Sequence, residues 1–569
     1  MLRALAFAAA VFFAGAAAAQ DHAAQFDWFA YSGRNPVNAA TPAGADSYRN
    51  PILSGFYPDP SVTRVGDDFY LVTSTFAYFP GLPVFHSRDL VHWTQIGNAI
   101  DRPGQLDFTG LGLSRGVFAP DITQHDGVFY ILNTCVDCGG NYLITARDPA
   151  GPWSDPIWLK DIDGIDPSFF FDRDGRVWLL NNGPPPGAPL YEGHRAIWIQ
   201  AFDLAAKRPV GPRTLLVNGG VDLARKPIWI EGPHIFRRGD FYYLSCAEGG
   251  TSDGHSQVIL RSRSVTGPFT PYARNPILTQ RDLPPDRPFP VTSAGHAELV
   301  ETARGEWWAT FLATLPYGDG LYNTGRQTFL LPVSWADDWP TILPPGQAVP
   351  YAHRRPDLPA GPPGKTPTSG DFAIRDDFSA PRLAADWLFV RTPRTRWYDL
   401  ASPRGWLTLQ ARPEALGGLG QPSYVGRRQQ HTDATVTTRL RFTPDADGDR
   451  AGLVAMQSDE YFFFLGLARE GGRRVVKLER RAGPKDPLHG VVVTSAPITG
   501  DAPVELRITA HGGRYDFAYA LRPGRWITLS RDADGTILST RTAGGFVGAT
   551  IGMYAFAGGP PDPHTGKPL

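Results

Sequence analysis

The 569-residue chain is long enough for two or more domains, and its 42% apolar content can fill sizeable cores. A formal net charge of −1 with no basic run argues against nucleic acid or an anionic membrane surface as a partner. Gly 62 and Pro 54 are high and interrupt short aromatic runs, which favours many short strands and turns over long helices.

In chain order, Met1-Leu-Arg3 followed by Ala4 to Ala19 reads as a cleaved secretory signal peptide: a positive start, an apolar centre and a small-residue site at Ala17-Ala-Ala19. The run is shorter than the roughly 18 to 20 apolar residues a membrane span needs. The expectation is a periplasmic or secreted protein without a membrane anchor. Residues 20–50, rich in Ala, Asn, Gly and Ser, read as a loose lead-in. Cys135, Cys138 and Cys246 do not form a disulfide framework; Cys135-Val-Asp-Cys138 suits a local disulfide or inert thiols, because a zinc site would need a second pair.

One unit then appears five times: an acidic residue in a turn, a short strand, a glycine hairpin and an aromatic strand. The acids are Asp59, Asp121, Asp166, Glu231 and Glu298; the hairpin glycines are Gly66, Gly127, Gly175, Gly239 and Gly305. Each acid precedes its glycine by 6 to 9 residues, and the glycines are 48 to 66 apart. Strand repeats of this size predict a five-bladed β-propeller over 51–343. With the first strand of each blade innermost, the acids gather near one end of the central axis.

Residues 344–371 are rich in Pro and Gly and read as a semi-rigid linker. Over 372–569, period-two segments such as Ala434-Thr-Val-Thr-Thr-Arg-Leu-Arg-Phe442 and Val504-Glu-Leu-Arg-Ile-Thr509 predict a β-sandwich. The fold class is therefore all-β.

Asp59-Pro-Ser61 and Asp166-Pro-Ser168 put a carboxylate before a proline, which predicts an extended, fixed backbone at each Asp and a local bond from each Ser. Glu231, beside Trp229 and under Pro233, is poorly solvated, as a general acid requires. A protonated acid facing an ionised base is what glycoside hydrolysis needs. Phe76, Tyr78, Phe79 and Phe118 are candidate floors for a sugar, and Arg326 a candidate clamp for its hydroxyls. His296 is a candidate for holding a water or a hard cation in the channel. Asp121 and Glu298 occupy equivalent repeat positions, suited to supporting the other three acids or to pairing with arginine.

Asn50-Pro-Ile-Leu-Ser-Gly-Phe-Tyr-Pro-Asp-Pro-Ser61, Thr73-Ser-Thr-Phe-Ala-Tyr-Phe-Pro-Gly81, Ile165-Asp-Pro-Ser-Phe169 and Ile230-Glu-Gly-Pro-His234 resemble, in order, the motifs of glycoside hydrolase family 43. The resemblance is to its β-xylosidases and α-L-arabinofuranosidases. It implies an inverting, exo-acting enzyme on xylo- or arabino-oligosaccharides, with Asp59 as general base, Glu231 as general acid and Asp166 tuning and orienting that acid. It further implies sugar contacts from Phe76 and Arg326, no required cofactor, and a structural calcium that some members hold with a histidine at the position of His296. Pro422-Ser-Tyr-Val-Gly-Arg-Arg-Gln-Gln-His431 resembles the concanavalin-like sandwich of the two-domain xylosidases, which closes one side of the funnel. Phe118 stands where relatives usually carry Trp, and no final aromatic-acidic strand is recognisable after Tyr554-Ala-Phe556. The competing readings are a retaining five-bladed fructosidase, whose Asn-Asp-Pro motif is absent, and a non-catalytic sugar-binding protein.

Overall fold

The computed structural model describes residues 22–558; the leader read at 1–19 lies outside them. Five antiparallel sheets follow one another along the propeller as far as Thr341, with the innermost strands Ser61–Val65, Asp121–His125, Ile165–Phe171, Glu231–Arg238 and Thr292–Glu301. These five strands touch in cyclic order, and the fifth touches the first, so the ring is closed. The protein is a five-bladed propeller followed by a β-sandwich.

The hairpin glycines all have positive φ, and a Cβ built on any of them would meet nothing within 4 Å. The requirement is therefore conformational. In blade 2, His125 pairs with Val128 across Asp126 (φ 49) and Gly127 (φ 73), the two left-handed residues of a tight turn matched to strand twist.

The segment before blade 1 helps close the ring. Asn50 Nδ2 donates to the Leu330 carbonyl and Leu330 N–H donates to Asn50 Oδ1, both at 2.9 Å, which fixes the segment to blade 5. Ser47–Arg49 pairs with Ala352–Arg354, so both flanks of the propeller are tied together.

The sandwich consists of two eight-stranded sheets. The expected loose lead-in is not loose. Ala23–Arg34 is a strand between Arg404–Gln410 and Asp433–Arg441 in the first sheet. Its register slips between Phe26 and Phe29, so the buried residues Ala24, Phe26, Phe29 and Tyr31 break strict alternation. Thr550–Phe556 is an interior strand of the second sheet, between Ser423–Arg428 and Arg450–Ser458.

The two parts share one apolar core. Phe76, Leu82, Val117 and Ile131 of the propeller belong to the same buried cluster as Phe389, Leu465 and Phe517 of the sandwich. Tyr78–Phe79, within blade 1, joins the edge of the second sandwich sheet by pairing with Leu388–Val390. Tyr78 and Phe79 are consequently buried between the two parts and do not serve as sugar floors. Arg391, fully buried, donates to the carbonyls of Leu111 and Gly420 and pairs with Asp459 at 2.8 Å, so its charge is compensated.

Candidate active site

Asp59, Asp166 and Glu231 line one cavity of about 280 Å³, together with Phe76, Phe118, His296 and Arg326. Seven of the candidate residues from the sequence thus meet in one place, while Tyr78, Phe79, Asp121 and Glu298 do not join them. Six of the surrounding residues were not anticipated there: Ala119, Ile165, Ile228, Gly250, Thr251 and Phe546.

Local backbone geometry aims the acids. Asp59 and Asp166 have φ of 55° and 53°, so they are left-handed rather than extended as the following prolines suggested. Proline disfavours the right-handed helical region for the preceding residue, and Asp is among the few residues that accept the left-handed one. In blades 3, 4 and 5 the strand register skips at the acid, between Ile165 and Ser168, Glu231 and His234, and Gly295 and Glu298. Such bulges re-aim a side chain out of the sheet's alternation. The serines of the two Asp-Pro-Ser motifs bond across blades, not locally: Ser61 Oγ accepts Ile122 N–H at 2.9 Å, and Ser168 Oγ donates to the Pro233 carbonyl at 2.5 Å.

Gly232 follows the acid of blade 4 with φ 56°, and a Cβ there would lie 2.6 Å from His296 Nε2. Only glycine fits between Glu231 and that ring.

The charges are arranged unequally. Arg326 Nη1 pairs with Asp59 Oδ1 at 2.9 Å and donates to Thr251 Oγ1 at the same distance; Ser74 Oγ donates to Asp59 Oδ2 at 2.5 Å. Asp166 Oδ2 accepts Gly232 N–H at 3.0 Å. Burial pushes the Asp166 carboxyl up to about 7, and the Asp59 charge adds to this. Burial, then the charges of Asp166 and Asp59, pushes Glu231 well above the usual carboxylate range. The pocket therefore favours a protonated Glu231 facing the Asp59–Arg326 ion pair. Burial holds His296 down at about 4, so its ring, 3.6 Å from Asp59, adds no positive charge near neutral pH.

The sandwich completes the pocket. Phe546 stacks on Phe76 with ring centroids 5.8 Å apart, and both meet Phe118 edge-on. The loop carrying Arg326 is also held by the sandwich: Asn323 Nδ2 donates to Tyr515 Oη and to the Gly535 carbonyl, each at 3.1 Å, while Ala549 N–H donates to the Asn323 carbonyl at 2.7 Å. Phe546 lies 220 residues past Arg326 in no recognisable motif; a lone aromatic after Gly544-Gly545 was its only signal.

Asp121 and Glu298 do not line the cavity. They face His234, whose Nδ1 is 3.6 Å from Asp121 Oδ1 and 3.4 Å from Glu298 Oε1. Neither forms an ion pair with an arginine among the described residues. Burial raises Asp121 to about 7 and Glu298 to about 8, and lowers His234. Among the described residues, these three make the cluster with metal-compatible spacing, and His296 is not in it. His296 shares its nearest carboxylate oxygen with the Arg326 guanidinium, which would repel a cation.

Comparison with known proteins accords with this architecture. Residues 48–340 match the model of glycosyl hydrolases family 43, and residues 375–565 match the β-xylosidase C-terminal concanavalin A-like domain. The chain belongs to glycosyl hydrolase family 43 and is a glycosidase of the hemicellulose-degrading kind. It is 39% identical to a xylosidase/arabinosidase of Butyrivibrio fibrisolvens, over 90% of this chain and 96% of that one. It is 37% identical to a non-reducing end α-L-arabinofuranosidase of Bacteroides ovatus, over 90% and 92%. Among solved structures, a GH43_12 protein retrieved from a capybara gut metagenome superposes with a TM-score of 0.87 at 38% identity, covering 95% of this chain and all of that one.

Proposed function

We propose that the enzyme removes terminal xylose, arabinofuranose or both from hemicellulose oligosaccharides, with inversion at the anomeric carbon. The observation that carries this reading is the asymmetric trio in one pocket: a buried, proton-holding Glu231, an Asp59 paired with Arg326, and a buried Asp166 whose charge acts on Glu231. In this mechanism Asp59 takes a proton from a water as that water's oxygen bonds to the anomeric carbon. The glycosidic C–O bond breaks, and Glu231 gives its proton to the departing oxygen. Asp166 keeps Glu231 protonated through like-charge repulsion. Arg326 holds Asp59 and, with Phe76, positions the sugar. The printed names of the relatives, xylosidase/arabinosidase and α-L-arabinofuranosidase, support the two sugar classes.

The test is a panel of aryl β-D-xylosides and α-L-arabinofuranosides followed by proton NMR of the first-formed anomer. Inversion predicts α-xylose from a β-xyloside; β-xylose formed first overturns the inverting assignment, and no turnover of either sugar overturns the substrate class.

Two further elements belong to the proposal. Export is supported by the leader pattern and by the Cys135–Cys138 disulfide, a bond that persists in oxidising compartments; N-terminal sequencing of the protein recovered from periplasm and medium tests it. A structural calcium in the channel would be held by Asp121, Glu298 and His234, which offer two carboxylates and a ring nitrogen, with solvent supplying the remaining oxygens calcium prefers. Its contribution would be to neutralise the carboxylates that join the blades.

A further inference from the structure

Between Glu231 and solvent the chain makes a turn that the propeller repeat does not require. Lys226 and Trp229 are both left-handed there, with φ of 52° and 59°. A bulky side chain in that region is strained and persists only where its surroundings impose it. The surroundings come from blade 3. Trp229 N–H donates to the Gly193 carbonyl at 2.8 Å, and Tyr191 Oη donates to the carbonyls of Pro227 and Gly219 at 2.9 and 3.0 Å. The Arg195 guanidinium lies 4.2 Å from the centre of the Trp229 ring and braces the indole. From the far side, Gly249 N–H donates to the Ile228 carbonyl at 2.8 Å.

Exposure along this turn gives it a direction. Ile228 is 53% exposed, Trp229 is half-buried, and Glu231 is 8% exposed, yet all three line the same cavity. The turn is thus a wall running from the proton donor out to the mouth. Phe118 and Phe546, both half-buried, line the cavity as well and leave its mouth largely apolar. A general acid must touch the glycosidic oxygen, so surface between that acid and solvent faces the leaving group.

We propose that Ile228 and Trp229 form the leaving-group wall, on which the apolar face of a sugar ring rests while Glu231 protonates its oxygen, and that the Tyr191–Arg195 segment of blade 3 sets that wall's position. The preferred substrates are accordingly glycosides whose leaving group is itself a pyranose. This inference rests on the hydrolytic reading above.

The test compares two leaving groups that both need the proton of Glu231, one a sugar ring and one without a ring: β-D-xylobiose against methyl β-D-xylopyranoside, and an arabinofuranosyl-xylobiose against methyl α-L-arabinofuranoside. Both are measured on the acidic plateau of the pH profile, so that a shift in the titration of Glu231 does not enter. Losing the wall is expected to lower the ratio of kcat/KM for the sugar leaving group over the methyl one by about 10- to 100-fold in Trp229→Ala, by less in Trp229→Phe, and by roughly 3- to 10-fold in Tyr191→Phe. A purely structural role lowers both substrates together and leaves the ratio unchanged, which overturns the proposal. Should Trp229→Ala fail to fold, Trp229→Phe and Tyr191→Phe decide the matter by the same ratio. A wild-type enzyme inactive on both pairs overturns the hydrolytic reading instead.

Discussion

Five acids occupy one position of one repeat, yet they do two different things. Asp59, Asp166 and Glu231 open on a cavity with an arginine, while Asp121 and Glu298 close around His234 in the channel. The difference lies in what meets each carboxylate. Asp121 Oδ2 accepts Phe169 N–H of blade 3 at 3.0 Å, and Glu298 Oε2 accepts Val62 N–H of blade 1 at 2.7 Å. These two tie neighbouring blades together. Glu231 accepts no backbone N–H among the described residues; its polar neighbour is the Trp229 side chain, and it opens on the cavity. Asp166 stands between the two kinds: its bond from Gly232 joins blade 3 to blade 4 while its charge acts on Glu231. A repeat therefore distributes carboxylates evenly, and the adjacent loops decide which become reactive.

The sharpest way to break this contrast is to neutralise acids on each side. Asp59→Asn and Glu231→Gln are each expected to lower kcat on xylobiose or its arabinofuranosyl counterpart by about 10³-fold or more, with the melting temperature of Glu231→Gln little changed. Asp166→Asn should lower kcat by about 10- to 100-fold and also move the pH profile. In the proposed mechanism activity needs a protonated Glu231 and is lost as pH rises through its raised pKa. Removing the Asp166 charge lowers that pKa, so the alkaline limb shifts to lower pH; an unmoved limb contradicts the tuning role. Phe546→Ala should raise KM by about 10-fold, because the sandwich's ring stacks on Phe76 beside the sugar.

The smallest effect on turnover is expected in the channel. Asp121→Asn with Glu298→Gln should leave kcat within about 3-fold of wild type, yet change the pH dependence of stability. Both carboxyls have folded pKa values, about 7 and about 8, above the roughly 4 of an unfolded chain. Their protonated forms contribute stability that is fully present below about pH 4 and is lost as pH rises through 7 to 8. In chelator, the wild-type melting temperature should fall across that window and the double variant's slope should be flatter. Excess calcium should then raise the wild-type value at pH 8 by a few degrees and the variant's by less.

Much of this contrast was legible before the structure. The spacing of acid to hairpin glycine located all five blades, because each glycine is needed for its turn and each acid lies within or just before its blade's innermost strand. The two fates of the acids were not legible, since they depend on residues from neighbouring blades. His234 stood in a recognised motif without an assigned partner, because its partners lie more than 60 residues away in other blades. The strand Ala23–Arg34 was hidden by the register slip at Asp27-Trp28 and by a composition that resembles a linker. Trp229 was read only as a desolvating neighbour of Glu231; its left-handed backbone, imposed by blade 3, makes it a wall of the pocket.

The central claim, that Glu231 alone among the five delivers the proton, is tested most directly by leaving-group dependence. Glu231→Gln should lose about 10³-fold or more in kcat on a disaccharide, whose departing oxygen needs that proton, and far less on a 2,4-dinitrophenyl glycoside, whose leaving group departs as a stable anion. Equal losses on the two substrates would contradict the assignment.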